Sequence, residues 1–363
     1  MSQIAEGTVL WTPSRERCEA SGLARYMEWL ATTHALEFDS YDGLWRWSVE
    51  HLESFWASVW AYVDIRASVP YERVLSSRLM PGAPGVTTPP KWFEGARLNY
   101  AEHAFRRTSS AHPAIVSRSE IRPTAEISWP RLARDVGALA GWLRESGVKP
   151  GDRVISYMPN IPESVIALLA CASIGAIWSS CSPDMGSGAV LDRFRQIEPK
   201  VMFTVDGYRY GGRDFDRRAV VAEIAAALPT LERVVMVPYL ESEARPEGLR
   251  GATVWEAALA REAAPRFEQV PFDHPLWVVY SSGTTGVPKA IVHSHGGILV
   301  EHLKTVLLQH DMHPGERFFW MSSTGWIVWN LLVSGLLAGC TVVLFDGNPA
   351  WPDAGEVWRF VGE

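Results

Sequence analysis

From Pro113 onward the chain alternates short apolar runs with stretches of helical period, and no other feature limits its fold so tightly. Ser128 stands where it can cap a helix that sets Leu132, Val136, Leu139, Ala140 and Leu143 on one face, with Gly147 closing it. Arg153 to Tyr157 reads as a strand after the Pro150-Gly151 turn. Pro162 opens a helix through Cys171, a short strand follows near Ile177, and Val190 to Ile197 is helical. The pattern repeats with a strand at Val201 to Val205, a helix from Arg218 to Ala227 and a strand at Val234 to Val237. A second run has a strand at Leu276 to Tyr280, a glycine loop, a helix after Gly297 and a strand at Phe318. Strand–helix–strand repetition implies an α/β fold with parallel, helix-covered sheets.

Residues 1–110 differ. Tyr41 to Trp60 carries Leu44, Trp45, Trp47, Val49, Leu52, Phe55, Trp56, Val59 and Trp60 at helical spacing, with a turn expected near Trp47. Seventeen tryptophans suit large cores or flat pocket walls, without deciding between them. Met80 to Pro90 reads as an ordered loop or boundary. The expected division is a Trp-rich helical leader over 1–110 and α/β subdomains over 111–245 and 246–363. Pro246 to Pro271 forms the crossover.

Phe318 to Phe345 holds no charge and reaches the ~18–20 residues of a membrane span. Polar and glycine residues from Ser322 to Gly339 punctuate it, so it parses as strand, loop, buried helix and strand, and no membrane insertion is expected. Lys+Arg 34 against Asp+Glu 41 leaves a net charge of −7, which argues against a nucleic-acid backbone as partner. Met1 to Thr12 lacks the basic-then-apolar pattern of a secretion signal. Cys18, Cys171, Cys181 and Cys340 are scattered without metal-ligand spacing. They read as reduced thiols of a cytoplasmic protein, Cys171 and Cys340 in the core, with no metal site.

The chemistry is concentrated in Tyr280 to Ala290, Tyr-Ser-Ser-Gly-Thr-Thr-Gly-Val-Pro-Lys-Ala, directly after an apolar strand. Gly283 and Gly286 let successive N–H groups converge on an anion. Ser281, Ser282, Thr284 and Thr285 add hydroxyls, and Lys289 adds a mobile positive charge. That is equipment for a polyphosphate. Pro288 and Ala290 exclude a Walker A loop, and no GxGxxG follows a strand. A Ser/Thr-rich surface turn is the plain alternative. His293 and His295 form an HxH without a neighbouring carboxylate or cysteine, and are expected to line or support the nucleotide region rather than hold a metal.

The loop resembles the signature phosphate loop of the acyl-adenylate-forming enzymes. Lys149 to Ile166 is similar to that family's first strand–helix unit, and Ala170 to Trp178 to its continuation. Trp92 to Tyr100 resembles the leader of its short-chain acyl-CoA synthetases. Phe38 to Trp60, Arg97 to Glu102 and Ala290 to His293 are most similar to the group that activates acetoacetate. The resemblance implies a ligase using ATP, Mg2+ and coenzyme A, which adenylates acetoacetate and passes the acyl group to the coenzyme A thiol. It further implies that Ser281, Ser282, Gly283, Thr284, Thr285, Gly286 and Lys289 cradle the ATP phosphates, Lys289 and Thr285 being catalytic. Arg209 and Arg213 match the place where coenzyme A phosphates are held; solvated loop arginines are the alternative. Trp326, Ile327, Val328 and Trp329 match the acyl-pocket walls, with plain core as the alternative. Ala290 departs from the glycine of many relatives, and the family's later motifs, hinge and C-terminal lid are absent. What is implied is an incomplete and inactive portion of such an enzyme, with a non-catalytic ATP- or coenzyme-A-binding chain, or a synthetase for another short-chain acid, as alternatives.

Overall fold

The computed structural model describes residues 5–80, 88–281, 283 and 286–363. Two sheets and one hairpin are built from β1 (Ile115–Ser119), β2 (Ala125–Ile127), β3 (Arg153–Tyr157), β4 (Ile177–Cys181), β5 (Val201–Val205), β6 (Gly207–Tyr210), β7 (Arg213–Asp216), β8 (Arg233–Val237), β9 (Ala252–Val254), β10 (Pro275–Ser281), β11 (Lys289–Ser294), β12 (Arg317–Phe319) and β13 (Thr341–Asp346). Among the described residues, a seven-stranded sheet runs β9-β8-β5-β3-β4-β10-β11 and a four-stranded sheet runs β12-β13-β1-β2. The first is parallel except for β11, which returns antiparallel to β10. The second is parallel except for β2. Segments 111–245 and 246–363 each give strands to both sheets.

Helix Pro162–Ser173 is buried on every side beyond Glu163, with Val165, Ile166, Leu168, Leu169 and Cys171 all buried, as a helix enclosed by other elements requires. It packs against helices Trp129–Glu145 and Tyr100–Ala104. Each fully buried Leu, Ile or Val contributes about 1.5–3 kcal/mol relative to exposure. Trp129–Glu145 starts where the Ser128 hydroxyl accepts the Arg131 N–H at 3.3 Å, and its stripe Leu132, Val136, Leu139, Ala140 and Leu143 is buried.

In the leader the break falls at His51 (φ −119°, ψ 55°), between helices Tyr41–Glu50 and Leu52–Tyr62, not at Trp47. The kink lets Phe55 of the second helix meet Trp47 of the first, edge to face at 6.0 Å. Asn99 fastens the leader to the α/β body. Fully buried, it donates from Nδ2 to the carbonyls of Ala172 (2.9 Å) and Glu268 (2.8 Å), while Oδ1 accepts the Ala101 N–H.

The uncharged stretch Phe318 to Phe345 runs as β12, a loop, helix Ile327–Val333, a 3-10 turn Ser334–Ala338, Gly339 and β13. No helix among the described residues is long and apolar enough to cross a membrane. Cys171, Cys181 and Cys340 are buried and Cys18 is exposed. Burial pushes the Cys181 and Cys340 thiols up to about 12, so they stay protonated.

Candidate functional site

Parallel strands of both sheets end on one crevice, where open α/β folds bind ligands. A cavity of about 500 Å³ opens there. Its wall takes Asn160 from beyond β3, Ser182 and Asp184 from beyond β4, Tyr208 and Tyr210 from β6, and Phe215 from β7. Met321 to Ser323 follow β12, and Phe345 to Gly347 end β13. The segment after β12 is tied to the first sheet by side chains: Thr324 Oγ1 donates to the Met158 carbonyl at 2.7 Å, and Ser180 Oγ donates to the Thr324 carbonyl at 2.6 Å.

β10 runs parallel to β4, so the loop that follows it emerges on the same edge. Ser281 and Lys289 are register partners at the end of the β10–β11 pair, and both are exposed. Gly283 (φ 53°) and Gly286 (φ 87°) occupy the left-handed region with open space around them. Ser282, Thr284 and Thr285 lie outside the described residues. The base of the loop is pinned: the Tyr280 hydroxyl donates to the Arg193 carbonyl at 2.9 Å, and Gln196 Nε2 to the Pro288 carbonyl at 2.8 Å. Burial pushes the Tyr280 hydroxyl up to about 12, keeping it a neutral donor.

The two arginines lie on opposite faces of the β6–β7 hairpin. Directly opposed residues of an antiparallel pair share a face, and successive residues alternate. Arg213 opposes Tyr210 and Phe215 opposes Tyr208, which puts Arg213 on the face that lines the cavity. Arg209 opposes Asp214 on the other face and is ion-paired with it.

The four expected wall residues are not gathered at the cavity. Trp329 is fully buried and donates from Nε1 to Asn160 Oδ1 at 2.8 Å, so its influence on the cavity passes through Asn160. Trp326 is 69% exposed, Ile327 is exposed and Val328 half-buried at the start of helix Ile327–Val333. His295 is fully buried beside Tyr100, and His293 is half-buried beside Trp277. Trp277 Nε1 donates to His293 Nδ1 at 3.0 Å, and the Tyr100 N–H to His295 Nδ1 at 3.2 Å.

Asp346 was not singled out by the sequence. It lines the cavity at the end of β13, accepts from the Tyr239 hydroxyl at 2.7 Å on Oδ2, and is pushed up to about 7 by burial. Its only sequence signal is a lone acid ending an apolar strand.

An α/β crevice, with a strand of the same sheet leading into a sequence rich in glycine, hydroxyls and lysine, suits a nucleotide-using enzyme. Residues 101–363 match the family described as AMP-binding enzyme, and residues 41–104 match the acetyl-coenzyme A synthetase N-terminus. The chain belongs to the AMP-binding enzyme family. More particularly, it is similar to acetoacetyl-CoA synthetase of Danio rerio, 38% identical over 99% of this chain and 54% of that one. The acetoacetyl-coenzyme A synthetase of Rhizobium meliloti (strain 1021) is 40% identical over 97% of this chain and 53% of its own length. The solved acetoacetyl-CoA synthetase from Streptomyces lividans superposes with a TM-score of 0.91 at 51% identity, covering 97% of this chain and 53% of that one. The chain thus spans about half the length of the relatives it matches.

Proposed function

We propose that the chain is the ATP- and coenzyme-A-binding portion of an AMP-forming acetoacetate–CoA ligase. The acetoacetate carboxylate attacks the α-phosphorus of ATP and pyrophosphate leaves. The coenzyme A sulfur then attacks the acyl carbon of the adenylate, and AMP departs with the electron pair of the broken C–O bond. The observation that carries the reading is the loop from Ser281 to Lys289, opening from β10 on the same sheet edge as the cavity.

Backbone N–H groups around Gly283 and Gly286, with the hydroxyls of Ser281, Ser282, Thr284 and Thr285, fit the ATP phosphates, and Lys289 opposite Ser281 adds the cation. Magnesium arrives with ATP on its phosphate oxygens, and no side chain of this chain is assigned to it. Arg213, on the cavity face, is the better placed of the two arginines for a coenzyme A phosphate. Trp326 to Val328 are proposed as acyl-side wall, and an apolar wall separates acids by only about 1–3 kcal/mol per methylene.

A second reading has this stretch bind ATP and coenzyme A without turning them over. Pyrophosphate exchange into ATP separates the two. It is measured on this chain and on this chain joined to the second half of the Streptomyces lividans relative, with acetoacetate, acetate or no acid. The expected result is exchange in the joined protein that requires acetoacetate, and none in this chain alone. Equal exchange with acetate overturns the assignment of the acid.

A further inference from the structure

One carboxylate, packed against the cavity-lining Gly347, holds two loops at once. Glu120 Oε1 accepts the N–H of Gly211 at 2.8 Å and of Asn348 at 2.7 Å, and Oε2 accepts the N–H of Gly212 at 2.8 Å. Gly211 (φ 61°) and Gly212 (φ 73°) make up the β6–β7 turn, and two successive left-handed residues turn their N–H groups toward a common anion. A Cβ on Gly212 would lie 2.5 Å from the Trp351 ring, and one on Gly347 would lie 2.7 Å from Glu120 Cγ. The turn, Glu120 and the segment from Gly347 to Trp351 are therefore packed without slack.

Arg213 is the next residue after this turn. The hairpin adjoins the described sheets without joining either as a strand, so sheet hydrogen bonds do not fix where its tip points. Tyr208 and Phe215 stack at 5.1 Å on the cavity side. Glu120 supplies the hold at the other end.

We propose that Glu120 is a positioning residue for the coenzyme A step: it clamps the Gly211-Gly212 turn to Asn348 and so presents Arg213 to the anionic end of the ligand. The inference rests on reading the cavity mouth as the coenzyme A entrance. A glutamine keeps the shape but turns an NH2 group toward N–H donors, so Glu120→Gln breaks the clamp without removing its bulk.

The test uses calorimetric binding of coenzyme A and of 3′-dephospho-coenzyme A to this chain, together with amide hydrogen exchange. The parent chain is expected to prefer coenzyme A by about tenfold, the scale of one charge-assisted contact. Arg213→Ala removes that preference. Glu120→Gln and Glu120→Ala remove it too, although Arg213 is still present, and the affinity for 3′-dephospho-coenzyme A stays within about twofold. Exchange of the Gly211, Gly212 and Asn348 amides accelerates in Glu120→Gln while the β3 and β5 amides keep their protection, which a general loss of fold would not allow. If Glu120→Ala fails to fold, Glu120→Gln carries both readouts. A full preference retained in the Glu120 variants, or unchanged exchange at the turn, overturns the positioning role. No preference in the parent chain, or one that survives Arg213→Ala, overturns the coenzyme A reading instead.

Discussion

Arg209 and Asp214 face one another across the β6–β7 hairpin in a two-point ion pair, with Nε 2.5 Å from Oδ1 and Nη2 3.0 Å from Oδ2. The guanidinium holds the Asp214 carboxyl below the usual carboxylate range. An arginine engaged in this way has its fork filled, whereas Arg213 has no ion pair among the described residues. Arg209→Ala is expected to leave coenzyme A affinity within about twofold and the thermal midpoint unchanged, since exposed pairs add little. A loss as large as that of Arg213→Ala, measured calorimetrically, would reverse the assignment of the two faces.

Lys289 is the register partner of Ser281 at the mouth of the proposed phosphate loop. Removing its charge in Lys289→Ala is expected to weaken ATP binding about tenfold while AMP binding changes less, because AMP lacks the β- and γ-phosphates. Lys289→Arg recovers part of the loss. Titration of both nucleotides checks this, and equal affinities in parent and variant would remove Lys289 from the site.

The strands and helices after Pro113 were legible because each carries its own period and its own punctuation, as at Ser128 and Pro162. The stretch from Ser281 to Lys289 stands out in the sequence because glycines, hydroxyls and a lysine are the residue types a polyphosphate needs. Long-range placement does not. Nothing in the sequence says that β1 pairs with β13, more than two hundred residues away, or that β10 joins β4. Arg209 and Arg213 look equivalent as a string, and only the hairpin register separates them. Tryptophan suits walls and cores alike, and only the structure shows that Trp329 is buried and bonded to Asn160.

The buried histidines make the fold acid-sensitive. Burial lowers His295 and His302 to about 3 and His103 to about 4, against 6.5 for a free histidine. Between those values the unfolded chain binds more protons. Their contribution is complete above 6.5 and is lost as pH falls toward 3, each approaching about 1.4 kcal/mol per pH unit within the window. His302 Nδ1 shares a hydrogen bond with the Tyr100 hydroxyl at 3.0 Å. In His302→Gln the urea midpoint is expected to fall less steeply from pH 6.5 to 4 than in the parent. Parallel slopes would mean that His302 protonates in the fold as readily as in water.

Asp346 acts in the opposite sense. Burial raises its carboxyl from 3.8 to about 7, so between those values the folded state binds more protons and stability declines as pH rises from about 4 to 7. Asp346→Asn keeps an oxygen for the Tyr239 hydroxyl and removes the charge. Its urea midpoint relative to the parent is expected to be higher at pH 8 than at pH 5. A difference independent of pH would mean that the carboxylate is ionised in the fold throughout.

Trp326 and Trp329 sit three residues apart and are expected to separate pocket from core. Trp329→Phe removes the Nε1 donor and leaves Asn160 Oδ1 without that partner in a buried setting, a loss of about 1–3 kcal/mol. Asn160 also donates from Nδ2 to the Phe345 carbonyl at 3.3 Å, so loosening it disturbs the cavity wall on both sheets. Trp326→Ala removes a largely exposed ring and is expected to shift stability by less than about 0.5 kcal/mol. If Trp326 contributes to the acyl wall, that variant changes the preference between acetoacetate and butyrate in pyrophosphate exchange by the joined protein. Trp329→Phe lowers exchange with both acids alike. Denaturant midpoints and exchange rates for the two acids, measured side by side, check this: a selectivity change confined to Trp329→Phe would return the buried tryptophan to the pocket and take the exposed one out of it.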